Sequence, residues 1–297
     1  MMYSIFEIKR SIFSRMGFLK IKENRLPDFI ICGTQKGGTT SLYEYLRHHP
    51  EVYLPKKKEI HFFDLNLNKG LRWYLRHFVT NNIARIKGEA TPSYMYFEEV
   101  PRRIRRILPN VRLIFILRNP VDRAYSHYWH EVKLGYEHLS FEDAIRMEKK
   151  RLFSGGTFEK IHYSYIDRGK YAIQLRRFMK YFPKNQLLIL LFDDLKGRPL
   201  YILKQLYAFL GINPTYMLKR VRKYNIGAIP RIRSLQRLRP YIPFSFGKLI
   251  IDAINLRPGY PPMRPTIRRI LVSYFENYNQ ELEKILGKPL PHSWYTI

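Results

Sequence analysis

Two hydrophobic patterns alternate along the chain. The first is a short run that is apolar at nearly every position, as in strands buried on both faces. Phe29–Gly33 (FIICG), Arg112–Arg118 (RLIFILR) and Gln186–Phe192 (QLLILLF) have this form, and Ile86–Glu89 is a shorter candidate. The second pattern has helical spacing. It predicts helices over Ser41–His49, stopped by Pro50, and over Val121–Gly135, opened by Pro120 where a missing N–H costs nothing. A further helix runs from an N-cap at Ser140 to about Phe153, with Asp143 in the capping-box position. Tyr171–Tyr181 ends before Pro183, and Pro199–Leu210 is closed by Gly211. In Pro265–Leu286, Ile267, Ile270, Leu271, Tyr274, Phe275, Tyr278, Leu282 and Ile285 form one apolar stripe, expected to be core. Strands alternating with helices predict an α/β fold with a parallel sheet. Residues 212–262 break the pattern. They are rich in Arg, Pro and Tyr and read as a lid or substrate-side insertion.

Composition narrows the picture. The 297 residues are 45% hydrophobic, which excludes a disordered basic tail and suffices for one large core. We expect a basic N-terminal extension over 1–26 and a single domain over 27–297. The net charge of +29 predicts anionic partners: phosphate, sulfate, nucleic acid or a membrane surface. The single cysteine, Cys32, excludes a disulfide framework and a cysteine-based zinc cluster. No apolar run reaches the ~18 residues of a membrane span. The first 22 residues mix apolar residues with Lys and Arg and lack a signal-peptide core. The expected location is cytoplasmic. The N-terminus is either a loosely packed basic tail or a short helix resting on an anionic membrane.

The most informative stretch is FIICGTQKGGTTSLYEYL, a buried strand, a glycine-rich loop and a helix. That order presents backbone N–H groups and a helix N-terminus to a phosphate. Gly37 and Gly38 allow close backbone approach, Thr39 and Thr40 add hydroxyls, and Lys36 adds a charge. Gly33 and Gly38 keep the spacing of the nucleotide-triphosphatase loop GxxxxGK[ST], but Thr39 stands where its lysine belongs.

KGGTT after a strand, followed by RNPVDRAYSHY, resembles the sulfotransferases that use 3′-phosphoadenosine 5′-phosphosulfate (PAPS). The likeness is nearest to the heparan-sulfate N- and O-sulfotransferase branch and its bacterial relatives. It covers about residues 27–297, through TQKGGTTSL, KKKEIHFFD, GEATPSY, RLIFILRNPVDRAYSHY, the GKYAIQL and QLLILLFDDL run, and YPPM, in that order. It implies a P-loop-like three-layer sandwich with a central parallel sheet flanked by helices, PAPS as donor, and no metal. It assigns the 5′-phosphosulfate to Lys36, Gly37, Gly38, Thr39 and Thr40, and the 3′-phosphate to Arg118 and Ser126. Arg118 ends an apolar strand, where open α/β sheets bind ligands, and a guanidinium can grip phosphate bidentately. The segment holding Arg257 and Tyr260 is expected to lie over the 3′-phosphate, although Leu256-Arg257-Pro258-Gly259-Tyr260-Pro261 replaces the Lys-Gly-Arg run frequent in the family.

On the acceptor side, the resemblance makes Glu59 of KKKEIHFFD the catalytic base. Nearby lysines favour its ionised form. His61, two residues on, shares a face with it on an extended chain and is the second candidate base or a substrate-orienting group. Asp64 either orients a lysine or the acceptor, or caps a turn. In-line sulfuryl transfer needs little covalent participation by the protein, so Lys36 is expected to stabilise charge on the leaving phosphate. The implied acceptor is a hydroxyl or amine of a carbohydrate or glycolipid, and the basic N-terminus and the 212–262 insertion would allow peripheral contact with an anionic membrane. Ala90 stands where heparan-sulfate O-sulfotransferases carry a lysine after the glutamate of this block, so that substrate contact does not carry over.

The sequence also permits two other readings. A nucleotide-dependent kinase would use LLILLFDD as the strand that ends in a magnesium-organising aspartate. A non-enzymatic nucleic-acid binder would use RRIRR at 102–106 and RIRSLQRLRP at 231–240. The displaced loop lysine opposes the first, and the lack of a nucleic-acid motif opposes the second.

Overall fold

All four predicted strands join a fifth, two-residue strand in a single parallel sheet. In chain order these are β1 (Phe29–Gly33), β2 (Val52–Tyr53), β3 (Ile86–Ala90), β4 (Arg112–Leu117) and β5 (Leu187–Leu191). Across the sheet they lie in the order β2-β3-β1-β4-β5. The computed structural model describes residues 26–79, 84–216 and 227–297. The expected basic extension, Leu26 apart, lies outside the described residues, as does part of the expected lid.

Side chains of the inner strands alternate between two cores, which explains why their sequences are continuously apolar. Ile30, Cys32, Leu113, Phe115 and Leu117 enter one core. It is closed by α2 (Gly70–Leu75), α3 (Val100–Ile107), α7 (Tyr171–Met179) and the end of α12 (Pro265–Leu286). Phe29, Ile31, Ile114 and Ile116 enter the other, under α1 (Thr39–Arg47) and α9 (Pro199–Leu210). The result is the expected three-layer α/β sandwich. Burying each large apolar side chain contributes about 1.5–3 kcal/mol. A third cluster packs α4 (Pro120–Leu134) and α5 (Phe141–Ser154) against α12.

The local signals hold at most ends. Ser140 accepts the Asp143 N–H at 3.1 Å, and Gly135 and Gly211 close α4 and α9 with left-handed φ of 83° and 66°. The apolar stripe of α12 needs correction. Leu271, Phe275 and Leu282 are buried, but Ile270 and Tyr274 are 61% and 42% exposed. The helix packs along a narrower line than its sequence suggests. QLLILLF also turns helical earlier than expected, since Phe192 opens the short α8 (Phe192–Gly197).

The RRIRR segment lies in and after the start of α3. Ile104 and the following Leu108 are buried while Arg102 pairs with Glu99, so this is a solvated face over a core. Residues 227–262 form a small layer of β6 (Ala228–Pro230), α10 (Arg233–Arg237), α11 (Ser245–Asn255) and β7 (Leu256–Pro258). The layer docks on α4 through Gln236 Nε2, which donates to the Lys133 carbonyl at 2.6 Å, and through Arg233, which donates to the Tyr128 hydroxyl. Among the described residues no helix is long and apolar enough to cross a membrane.

Candidate active site

The carboxyl ends of β1, β3 and β4 meet at one cleft, where open α/β sheets place ligands. The loop after β1 forms its floor. Thr34 N–H donates to the Ile116 carbonyl at 2.9 Å, and Gly37 N–H donates to the Thr34 carbonyl at 2.9 Å. Gly38 then caps α1 with φ 105°, and no acidic residue occupies the helix's first turn. A Cβ at Gly37 would stand 2.6 Å from the Ile116 carbonyl oxygen, and one at Gly38 would stand 2.7 Å from the Phe192 ring. Only bare backbone fits, and it leads into a helix N-terminus. That cradle suits a phosphate group.

The second wall is the segment after β2. Glu59 N–H donates to the Ala90 carbonyl at 3.0 Å and clips the segment to the end of β3. Lys58 Nζ reaches back to Thr40 Oγ1 at 2.6 Å and lies 3.5 Å from Glu59 Oε1. His61 Nε2 lies 3.6 Å from Glu59 Oε2, and His61 Nδ1 lies 3.0 Å from Asp64 Oδ2. Ser93 Oγ donates to the same Asp64 oxygen. Glu59 and His61 thus meet, though not through an extended chain. Both have positive φ, 60° and 56°, and with Lys36 at 65° they are the non-glycine residues of this kind among the described residues.

The third wall is β4 and α4. Asn119 accepts the Val121 N–H at 2.9 Å and so fixes the start of α4. Arg118 Nη1 donates to the Lys36 carbonyl at 3.3 Å, and the guanidinium lies 5.2 Å from the centre of the Phe192 ring. Among the described residues Arg118 forms no ion pair with a carboxylate. Ser126 and His130, four residues apart on one helix face, both reach the cleft. Ser126 Oγ lies 3.2 Å from the Tyr260 hydroxyl, which brings the layer after β7 to the cleft edge. Arg257 lies on β7 opposite Ile229 and is exposed, and it is not among the cleft-lining side chains.

Of the residues singled out in the sequence, the cleft brings together Lys36, Gly38, Thr39, Thr40, Glu59, Arg118 and Ser126. Lys58 and His130 line it too, and were not singled out. His130 carried a usable signal, since it stands one helical turn beyond Ser126. Asp193, a candidate magnesium ligand in the kinase reading, instead accepts the Trp294 indole N–H at 3.1 Å, and Asp194 pairs with Arg198 at 2.5 Å.

Electrostatics sort these groups. Burial pushes the Lys36 ammonium down to about 8, helped by Lys133 and Arg118 and opposed by Glu131. Burial, Lys36 and Lys133 push His130 down to about 3, so its ring is neutral. Burial opposes charge on His61, but hydrogen bonds and charges from Asp64 and Glu59 outweigh it and lift the ring to about 9. Burial likewise works against charge on Glu59, yet His61 and Lys58 hold its carboxyl below the usual range. Beneath this segment, burial raises Glu89 to about 7 while Tyr74 and Thr91 donate to it at 2.6 and 2.8 Å. Tyr94 donates to Glu89 and accepts the Phe62 N–H at 2.8 Å, which fixes the turn carrying His61.

Comparison with known proteins accords with this arrangement. The family model described as "Sulfotransferase domain" matches residues 26–226. The mouse bifunctional heparan sulfate N-deacetylase/N-sulfotransferase 4 is 32% identical over 289 residues, covering 91% of this chain but 31% of its own length. The chain therefore spans about a third of that relative. The human heparan sulfate glucosamine 3-O-sulfotransferase 5 is 30% identical over 270 residues, covering 90% of this chain and 74% of its own. A crystal structure of a sulfotransferase from Alicyclobacillus acidocaldarius superposes with a TM-score of 0.71 at 26% identity, covering 91% of this chain and 98% of that one. By the family match over residues 26–226 and the identity to these relatives, the chain belongs to the sulfotransferase domain family, whose members take a sulfuryl group from PAPS.

Proposed function

We propose that this protein transfers the sulfuryl group of PAPS to a hydroxyl or amine of a carbohydrate or glycolipid acceptor, with Glu59 as the base. The observation that carries the proposal is the convergence of the Lys36–Thr40 cradle, Glu59, and the Arg118 and Ser126 pair on one cleft. The donor supplies an activated sulfur whose bond to the phosphate oxygen breaks as the acceptor attacks. The chain's own residues do the rest. Lys36 and the N–H groups of the cradle hold the 5′-phosphate and offset charge that gathers there. Arg118, Ser126 and Tyr260 hold the 3′-phosphate, with Arg257 at the outer edge.

Glu59 is suited to its role because it is ionised and 44% exposed at the cleft. It takes the acceptor proton. His61, charged at neutral pH, faces it and is itself held by Asp64, which Ser93 fixes from the other side. Residues 27–297 act as one domain, with the described part of the 212–262 segment as its substrate-side lid. Tyr260 at the edge of Ser126 supports that lid. The proposal includes peripheral contact with an anionic membrane, which the charge of +29 supports.

The test is transfer of labelled sulfate from PAPS onto a panel of glycans and glycolipids. We expect label on a carbohydrate with and without chelator, and none with Lys36→Ala. Glu59→Gln should bind the desulfated donor normally while kcat falls about 10²–10⁴-fold. A near-wild-type rate for Glu59→Gln would remove it as the base. Failure to label any glycan would remove the acceptor class.

A further inference from the structure

Helix α11 is amphipathic in the reverse of the usual sense. Two of its polar residues, Asp252 and Asn255, are tied to the fold. Asp252 accepts from Arg239 at 2.9 Å and from Gln236 at 3.0 Å. Asn255, 2% exposed, accepts the Ile232 N–H at 2.8 Å and donates to the Ile232 carbonyl at 2.9 Å. Most of its apolar residues face solvent. Phe246, Leu249 and Ile254 are 73%, 65% and 63% exposed, and Phe244 just before the helix is 73% exposed. Residues 246, 249, 250 and 254 recur at helical spacing, so they make one stripe, about 12 Å long at 1.5 Å per residue. Among the described residues nothing covers this contiguous apolar face, and such a face on a folded domain marks a binding surface.

Charge selects the occupant. Residues 227–262 carry Arg231, Arg233, Arg237, Arg239, Lys248 and Arg257 against the single acid Asp252. A second copy would bring the same positive charge to the contact. An anionic bilayer brings the opposite charge and takes apolar side chains at its interface. We propose that α11 docks this protein on the surface of an anionic membrane, with its apolar stripe among the headgroups and upper acyl chains. The chain passes from α11 through β7 to Tyr260, which touches Ser126 at the cleft. Docking therefore sets the cleft edge beside the bilayer and favours a carbohydrate acceptor carried on a lipid. This deepens the membrane contact proposed above and rests on that reading.

The experiment is vesicle flotation of the full chain without donor or acceptor, so its failure is read separately from failure of sulfuryl transfer. Vesicles of phosphatidylcholine with 30% phosphatidylserine are compared with phosphatidylcholine alone, for wild type and for the double variant Phe246→Ser, Leu249→Ser. Both proteins keep the N-terminal segment, so its contribution cancels. We expect binding to the anionic vesicles only, and at least about a tenfold loss of partitioning in the variant. An unchanged melting temperature and unchanged binding of the desulfated donor show that the variant is folded. Equal partitioning of the two proteins overturns the proposal, as does equal binding to neutral and anionic vesicles. A wild-type dimer that the variant dissociates, without vesicle binding by either protein, overturns it in favour of self-association.

Discussion

Lys36 offers a quantitative test of the cradle. Its ammonium lies at about 8 in the free protein, against 10.5 for an ordinary lysine. That difference corresponds to about 3 kcal/mol disfavouring the charged form. Burial is the main cause, and a bound phosphate would counter it by supplying the missing opposite charge. The desulfated donor should therefore bind the protonated form and return Lys36 toward its ordinary range. The sign follows. Affinity is full below pH 8 and is lost as pH rises through it. Free Lys36 is about three-quarters protonated at pH 7.5 and about a tenth at pH 9. Affinity should fall close to tenfold per unit above pH 8, by up to about 300-fold in all. Calorimetry in two buffers of different ionisation enthalpy reads the linked proton directly, about 0.2 per ligand at pH 7.5 and about 0.9 at pH 9. Lys36→Met should bind weakly and lose most of the slope. A flat affinity from pH 7 to 9.5 in the wild type, or an undiminished slope in Lys36→Met, refutes the assignment.

Two further outcomes follow from the same site. Asp64→Asn removes the partner that holds His61 at 3.0 Å, so the ring, now near 9, should titrate at least about one unit lower. Imidazole NMR, assigned with His61→Asn, checks this, and an unmoved titration counts against the Asp64 contact. Gly38→Ala places a Cβ at φ 105° and against Phe192, so it should lower stability by about 1–2 kcal/mol and weaken donor binding. Urea unfolding with a binding titration measures both, and a neutral result would mean that the cradle tolerates a side chain.

Much of the fold was legible because the inner strands feed two cores. Ile30 and Ile31 point to opposite faces, and both must be apolar, so the run is continuous. Helix α12 was less legible, since the sequence reports which residues could be buried and not which neighbours arrive. Only a narrow line of it meets α4 and α5, and Ile270 and Tyr274 are left out. β6 and β7, three residues each, gave no periodic signal in an Arg- and Pro-rich stretch. In the site, the glycine cradle could be read from local order, while Arg118 was singled out by the family resemblance and its place at a strand end. The contact between Glu59 and His61 was anticipated for the wrong backbone. The Ser93 hydroxyl on Asp64, 29 residues away in sequence, is tertiary and left no local trace.

The left-handed backbone at Lys36, Glu59 and His61 bears on how this protein could be stabilised. Each of the three conformations costs on the order of 1–2 kcal/mol for a residue with a Cβ. Glycine would adopt each one freely, and asparagine more readily than the native residues. A library selected for thermal tolerance alone should therefore enrich such replacements at positions 36, 59 and 61. Under the roles proposed here, each would remove the side chain the position exists to carry. Improved heat resistance and lost turnover should then appear together at these three positions, while helix-surface positions far from the cleft show no such link.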